Sequence, residues 1–250
     1  MANTYFQFKQ FIVHQEHTAM KVCTDACLFG GWLSQDAPIL SANKLLDIGT
    51  GTGLLSLMLA QATSLNAKIT AVEIEPKAAL EATKNFELSP WNHKMNLVQD
   101  AIQAFATSFH ANAFKDKFDC IVSNPPFFET DLASPNHEKN LAAHSIALPW
   151  EALLPIAAGL LKEEGVFYVL IPALRAYTMQ KLASQNGLSL SEEIVVMNAP
   201  NQKPFRVMQK FLKTKAPIPS INRSPFYIKK EDQTYSDAFV QLLAPYYLHL

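Results

Sequence analysis

Four consecutive residues, Asn124-Pro125-Pro126-Phe127, carry the clearest chemical signal in this chain. They follow a short apolar run, Phe118 to Val122, that reads as a buried strand. Each proline fixes φ, removes a backbone donor and restricts the residue before it. The product is a stiff turn at a strand end, with an amide side chain before it and an aromatic ring after it. The Asn124 amide oxygen and the Pro125 carbonyl can together accept both hydrogens of an –NH₂ group. Phe127 can then stack on the flat ring that bears this nitrogen. Such a turn holds an amine on a planar substrate. The plainer alternative is a strand-ending turn with no ligand.

A second constellation lies upstream. Asp47-Ile48-Gly49-Thr50-Gly51-Thr52-Gly53 separates a strand signal from a helix signal. Glycines there permit positive φ and close approach to a ligand, and the helix start offers free N–H groups. Glu73, at the end of the next strand, lies twenty residues past Gly53, where an acid can bind both hydroxyls of a ribose. Glu75 competes for that role, but it precedes Pro76 and reads as solvated. The dinucleotide fingerprint Gly-x-Gly-x-x-Gly is not matched, because Leu54 stands where its third glycine belongs. Asp47 would also repel a pyrophosphate, whereas it suits a cationic ligand or an amino group. The loop resembles motif I of S-adenosylmethionine-dependent methyltransferases. That resemblance implies S-adenosyl-L-methionine as cofactor, with Asp100 aimed at its adenine amino group. Asp100 as a helix cap is the alternative.

These residues need elements to hold them. Strand signals at Lys44–Ile48, Ile69–Ile74, Met95–Val98, Phe118–Val122 and Val166–Ile171 alternate with helical stretches at Leu54–Ala62, Pro76–Leu88 and Trp150–Leu161. This alternation predicts an α/β fold with a parallel sheet covered on both faces. Two late strands, Glu193–Met197 and Val207–Lys213, predict an antiparallel hairpin at the sheet edge. The expected architecture is a Rossmann-like class I methyltransferase with a mostly parallel seven-stranded sheet. It forms one domain over 1–250, in which 1–43 is an N-terminal extension and 44–250 the core. In the usual strand order the first and fourth strands are neighbours. The glycine loop and Asn124 would then face each other at the carboxyl edge of the sheet.

Composition narrows the class further. The chain has 250 residues, 49% of them apolar, and a formal net charge of −1, so a sizeable core is expected and disorder is not. Three cysteines suit no disulfide framework, and the histidines show no metal-ligand spacing, so no metal is expected. Neither a leader nor a membrane-length apolar run is present, which predicts a cytoplasmic protein. The charge is uneven. Residues 1–199 carry a net of −6, whereas 200–230 carry eight Lys/Arg and no acid. Lys203, Arg206, Lys210 and Arg223, interleaved with Phe205, Phe211, Phe226 and Tyr227, are candidate phosphate-backbone contacts. A lysine-protected edge hairpin is the alternative.

Flanking segments complete the picture. Phe8-Lys9-Gln10-Phe11, Ala19-Met20-Lys21-Val22-Cys23-Thr24-Asp25, Ser89-Pro90-Trp91 and Tyr235-Ser236-Asp237-Ala238-Phe239 resemble the bacterial tRNA(Val) adenine-N6 methyltransferases over nearly the whole chain. The resemblance implies methyl transfer to the exocyclic N6 of an adenine in tRNA, at position 37. It implies that Lys21 to Asp25 close over the methionine end of the cofactor, with Thr24 and Asp25 as contacts. Capping of the following helix is the alternative role for those two. The family commonly has glycine at Cys23 and often tyrosine at Phe127; phenylalanine keeps the stacking face. A glutamine-amide N-methyltransferase uses the same Asn-Pro-Pro-aromatic turn, but carries an N-terminal helical domain too large for the forty residues here. A non-catalytic RNA-binding module is the other rival, and the intact acids, glycines and Asn124 argue against it. A tRNA partner, no membrane and no obligate protein partner, hence a monomer, complete the expectation.

Overall fold

A computed structural model describes residues 3–18, 20–111, 117–125, 148–214, 216 and 218–250. Strands β1 (Tyr5–Gln7) and β2 (Ile12–His14) form an antiparallel pair. Helices α1 (Thr24–Leu33) and α2 (Ala37–Ser41) lead into the core. There, β3 (Lys44–Ile48), α3 (Leu54–Ala62), β4 (Lys68–Glu73), α4 (Pro76–Glu87), β5 (Met95–Gln99), α5 (Ile102–Ala111) and β6 (Phe118–Ser123) alternate. Helix α6 (Trp150–Leu160), β7 (Leu161–Pro172), α7 (Ala176–Gln185), β8 (Leu188–Met197), β9 (Arg206–Lys213), β10 (Asn222–Tyr227) and α8 (Asp237–Leu243) follow.

The main sheet has the order β10-β8-β9-β7-β6-β3-β4-β5. Strands β5, β4, β3, β6 and β7 are mutually parallel, and β9 runs antiparallel between β7 and β8. The fold is therefore the expected α/β arrangement, with two corrections. The sheet has eight strands, not seven, because Asn222–Tyr227 adds a strand parallel to β8. The late hairpin is internal rather than at the edge. Strand β10 takes the edge, where Pro225 is tolerated.

The central strands β3, β6 and β7 bury both faces, which explains their unbroken apolar runs. Along β7, Tyr168 and Leu170 belong to one core, and Phe167, Val169 and Ile171 to the other. The first core packs the sheet against α1, α3, α8 and the β1–β2 pair, through Phe29, Leu57, Met58, Phe239 and Phe8. The second packs it against α5, α6 and α7, through Ile102, Leu153, Leu154 and Met179. Where α1 crosses α3, a Cβ on Gly30 would press on the Met58 side chain, so glycine there lets the two helices pack closely without displacing it.

Local sequence sets the helix ends that matter for the site. Helix α3 starts at Gly53, whose φ of 82° is left-handed. Helix α4 starts at Pro76, and the Glu75 carboxylate accepts the Ala78 N–H at 2.6 Å, so Glu75 is a cap rather than a solvated acid. Lys94, only 2% exposed, donates from Nζ to the carbonyls of Ala60 and Thr63 and satisfies the end of α3. No helix among the described residues is long and apolar enough to cross a membrane.

Candidate active site

The carboxyl ends of β3, β4 and β6 define the site. The glycine loop leaves β3 and is held to β4 by Gly49 and Thr50, whose N–H groups donate to the Val72 carbonyl at 2.9 and 3.2 Å. Gly49, Gly51 and Gly53 all have positive φ, at 72°, 58° and 82°. They differ in surroundings. A Cβ on Gly53 would lie 2.5 Å from the Phe86 ring, whereas Cβ atoms on Gly49 and Gly51 would meet nothing within 4 Å. Gly53 is thus a packing glycine. Gly49 and Gly51 expose bare backbone to open space, as a ligand cradle requires.

Glu73 stands at the centre of this edge and is 8% exposed. Its Oε2 accepts the Gly51 N–H at 2.8 Å and its Oε1 the Glu75 N–H at 2.9 Å. A carboxylate has about four lone-pair sites, so capacity for a vicinal diol remains. Asp100 follows β5; its N–H donates to the Glu73 carbonyl at 3.0 Å and its Oδ1 accepts the Ala101 N–H at 2.8 Å. Glu73 and Asp100 are therefore brought together on adjacent strand ends.

Asp47 is 0% exposed and faces into the loop. Its Oδ2 accepts the hydroxyls of Thr50 and Ser56 at 2.6 and 2.7 Å, and its Oδ1 is buried with no partner among the described residues. Burial pushes its carboxyl up to about 6, against which the two hydroxyls pull down. Asp47 braces the loop from beneath. Thr50 and Ser56, its partners, carried no signal in the sequence beyond being hydroxyl residues three and nine places on.

Across the β3–β6 pairing, Ile48 stands opposite Ser123, and the Ser123 hydroxyl donates to the Ile48 carbonyl at 2.9 Å. Asn124 therefore leaves β6 beside Gly49. Asn124 Oδ1 is buried and has no hydrogen-bond partner among the described residues. Pro125 is buried. Pro126 and Phe127 lie outside the described residues. An acceptor buried without a donor costs about 1–3 kcal/mol, and an incoming N–H would satisfy it.

Thr24 and Asp25 occupy the first turn of α1, whose N-cap is Cys23. Thr24 is exposed. Asp25 Oδ1 accepts the Ala26 N–H at 3.1 Å, and Oδ2 accepts Arg206 Nε at 2.9 Å. Cys23 has φ −129° and ψ 157°, extended backbone that needs no glycine, so its side chain is accommodated. Burial and the Asp25 carboxylate beside it push its thiol up to about 12.

The approach to α1 is clamped by two residues that sequence reading missed. Glu81 and Asn85 lie one turn apart on the inner face of α4 and are 5% and 1% exposed. Glu81 accepts the N–H groups of Glu16, His17 and Thr18. Asn85 Oδ1 accepts the His14 N–H at 2.8 Å, and its Nδ2 donates to the carbonyls of His14 and Thr52, each at 2.9 Å. Asn85 thus ties the N-terminal pair directly to the glycine loop. The available signal was two polar residues at i and i+4 among Ala78, Ala82 and Phe86.

The basic segment is partly paired within the fold. Arg206 pairs with Asp25, Lys210 with Asp36 at 2.9 Å, Lys213 with Glu163 at 3.2 Å and Arg223 with Glu193 at 3.2 Å. Acids outside the segment thus pair with several of its cations, and Asp237 pairs with Lys230 at 2.7 Å. Arg223 also sits on β10, four strands from β6, or about 19 Å away at normal strand spacing. Lys203 is exposed.

Comparison with known proteins bears on this arrangement. The family model described as the methyltransferase small domain matches residues 32–182. A relative from Dyadobacter fermentans named tRNA1(Val) (adenine(37)-N6)-methyltransferase is 38% identical over 247 residues, covering 98% of each chain. One of the same name from Bacteroides thetaiotaomicron is 38% identical and covers 100% of each. Among solved structures, a predicted O-methyltransferase from Agrobacterium tumefaciens, Atu636, superposes with a TM-score of 0.64 at 14% identity, over 88% of this chain and 96% of that one. The structure of SMU.776 complexed with SAH superposes at 0.58 and 13% identity, over 85% of this chain and 57% of that one. At such identities these two show the fold alone.

Proposed function

The chain belongs to the methyltransferase small domain family and, within it, to the tRNA1(Val) (adenine(37)-N6)-methyltransferases, and from this we propose the site chemistry that follows. The enzyme transfers a methyl group from S-adenosylmethionine to the exocyclic N6 of an adenine in tRNA, at position 37 of tRNA(Val). The observation that carries the mechanism is the unsatisfied, buried Oδ1 of Asn124 beside the glycine loop.

The cofactor supplies an electrophilic methyl on a sulfonium. Gly49 and Gly51 would present open backbone to it, Glu73 would take the ribose hydroxyls, Asp100 the adenine amino group, and Thr24 and Asp25 would flank its methionine end. Asp47 holds the loop in shape. Asn124 Oδ1 and the Pro125 carbonyl accept the two N6 hydrogens, Pro126 stiffens the turn, and Phe127 stacks on the base. An aromatic amine is a poor nucleophile because its lone pair is delocalised into the ring. Holding both hydrogens favours a pyramidal nitrogen whose lone pair points at the methyl. A donor held there would supply its methyl to that lone pair by in-line displacement at the sulfonium, and the N6 proton would leave to solvent after transfer. Positioning of this kind lowers a barrier by about 7–11 kcal/mol in the best cases. The reading carries with it a cytoplasmic enzyme acting as a monomer on tRNA.

Incubation with methyl-labelled donor and unmodified tRNA tests it. Label in N6-methyladenosine is the expected product. Label in protein would point to a glutamine-amide acceptor, and no transfer at all to a non-catalytic RNA-binding module.

A further inference from the structure

Strand β7 ends next to the Asn124 turn and runs straight into an exposed apolar surface. Ser123 pairs with Val169, so Asn124 and Pro125 emerge beside Leu170 and Ile171, and Pro172 closes the strand. The chain continues through a single 3₁₀ turn, Ala173–Arg175, into α7. This junction is fixed from below: Ala173 N–H donates to the Phe205 carbonyl at 3.2 Å, and Gln209 Nε2 to the Ala176 carbonyl at 3.3 Å.

On it stand Leu174 and Tyr177, 93% and 76% exposed, the two most exposed large hydrophobic side chains among the described residues. They are three residues apart across the junction of the 3₁₀ turn and α7. Folding does not account for them, since neither contributes to a core. Their neighbours are cationic. The Arg175 guanidinium lies 5.1 Å over the Trp150 ring, Lys181 follows one turn on, and residues 173–187 contain no acid. Lys203 is exposed on the loop that leads into Phe205.

The geometry points to a platform for the single-stranded nucleotides that flank the target adenine, with Tyr177 and Leu174 taking a neighbouring base and Arg175, Lys181 and Lys203 the adjoining phosphates. This rests on the assignment of an RNA substrate. A base presented to Asn124 must leave its stack, and its neighbours lose a stacking partner when it does. An aromatic and aliphatic face beside the catalytic turn replaces that partner, for whichever bases occupy the flanks. It also gives the RNA a contact that the paired cations of β9 and β10 do not provide.

The test compares wild type, Leu174→Ser/Tyr177→Ala, Tyr177→Phe and Leu65→Ser by steady-state methylation of a tRNA(Val) transcript. Leu65 is 75% exposed and precedes β4, at the opposite end of the sheet, so it controls for loss of surface hydrophobicity. The double variant is expected to lower kcat/KM for tRNA about tenfold, with KM for the methyl donor unchanged. Tyr177→Phe and Leu65→Ser are expected to match wild type. Wild-type kcat/KM in the double variant would overturn the platform while leaving the activity assignment intact. Absence of N6-methyladenosine with wild-type enzyme would instead remove the activity assignment and the platform together. A wild-type dimer in sedimentation that the double variant dissolves would assign the face to a second copy of the chain and overturn the RNA contact.

Discussion

At the scale of single residues, the site separates groups that brace from groups that bind. Asp47 braces: it is enclosed, and its folded pKa is raised to about 6 from an ordinary 3.8, chiefly by burial. A raised carboxyl contributes stability that is fully present below its unfolded pKa and lost as pH rises through the folded value. Wild type should therefore lose stability relative to Asp47→Asn between pH 4 and about 6 and run parallel to it above that range, as thermal melts across pH 4–8 will show. Glu73 is the proposed binder: with Gly51 and Glu75 already donating to it, Glu73→Gln would remove a charged acceptor from the ribose. Hydrogen bonds to charged groups contribute about 1.5–3 kcal/mol, so calorimetry should show SAH binding weakened about tenfold or more. Both acids were legible in the sequence because their distance from the glycines is set by strand and loop length. What each one faces was not. Exposure of a carboxylate depends on Thr50 and Ser56 turning inward, and no spacing rule encodes that.

Among the elements, α4 does more than cover the sheet. Its inner residues Glu81 and Asn85 hold the segment from His14 to Thr18 and reach the glycine loop at Thr52. Asn85→Ala leaves the His14 N–H and two carbonyls without their partner. Each hydrogen bond contributes about 0.5–1.5 kcal/mol net, so urea denaturation should show a loss of about 2–4 kcal/mol for the three. The N-terminal segment should also become more susceptible to limited proteolysis, with partial protection by SAH. A susceptibility equal to wild type would disconnect the N-terminal pair from the loop. Element identity was readable from apolar runs and from Pro76 and Gly53. The antiparallel hairpin of the late strands was readable too, but its place inside the sheet was not, because the insertion of β9 between β7 and β8 and the pairing of β10 are non-local. Strand β10 was hidden by Pro225 and by its polar start, Asn222-Arg223-Ser224, which suit an edge but also suit a loop.

For the whole molecule, charge read along the chain differs from charge arranged in space. The 200–230 segment is basic by sequence, yet Asp25, Asp36, Glu163 and Glu193 meet Arg206, Lys210, Lys213 and Arg223 in the fold. Linear counting cannot see pairs whose members are more than a hundred residues apart, as Asp25 and Arg206 are. Substituting Arg223 by Gln should leave the salt dependence of tRNA binding unchanged, whereas Lys203→Ala should reduce its log–log slope by about 0.7–0.9 if it meets one phosphate; filter binding across a salt series measures both. What the fold does bring together is the loop after β3, the acid after β4 and the amide after β6, on neighbouring strands of one edge. The most direct measurement of that arrangement pairs nucleoside mass spectrometry of tRNA(Val), after incubation with donor, with SAH calorimetry, for wild type and Asn124→Ala. The account predicts N6-methyladenosine from wild type, none from Asn124→Ala, and SAH affinity within about twofold between them. Methylation by Asn124→Ala at the wild-type rate would contradict it.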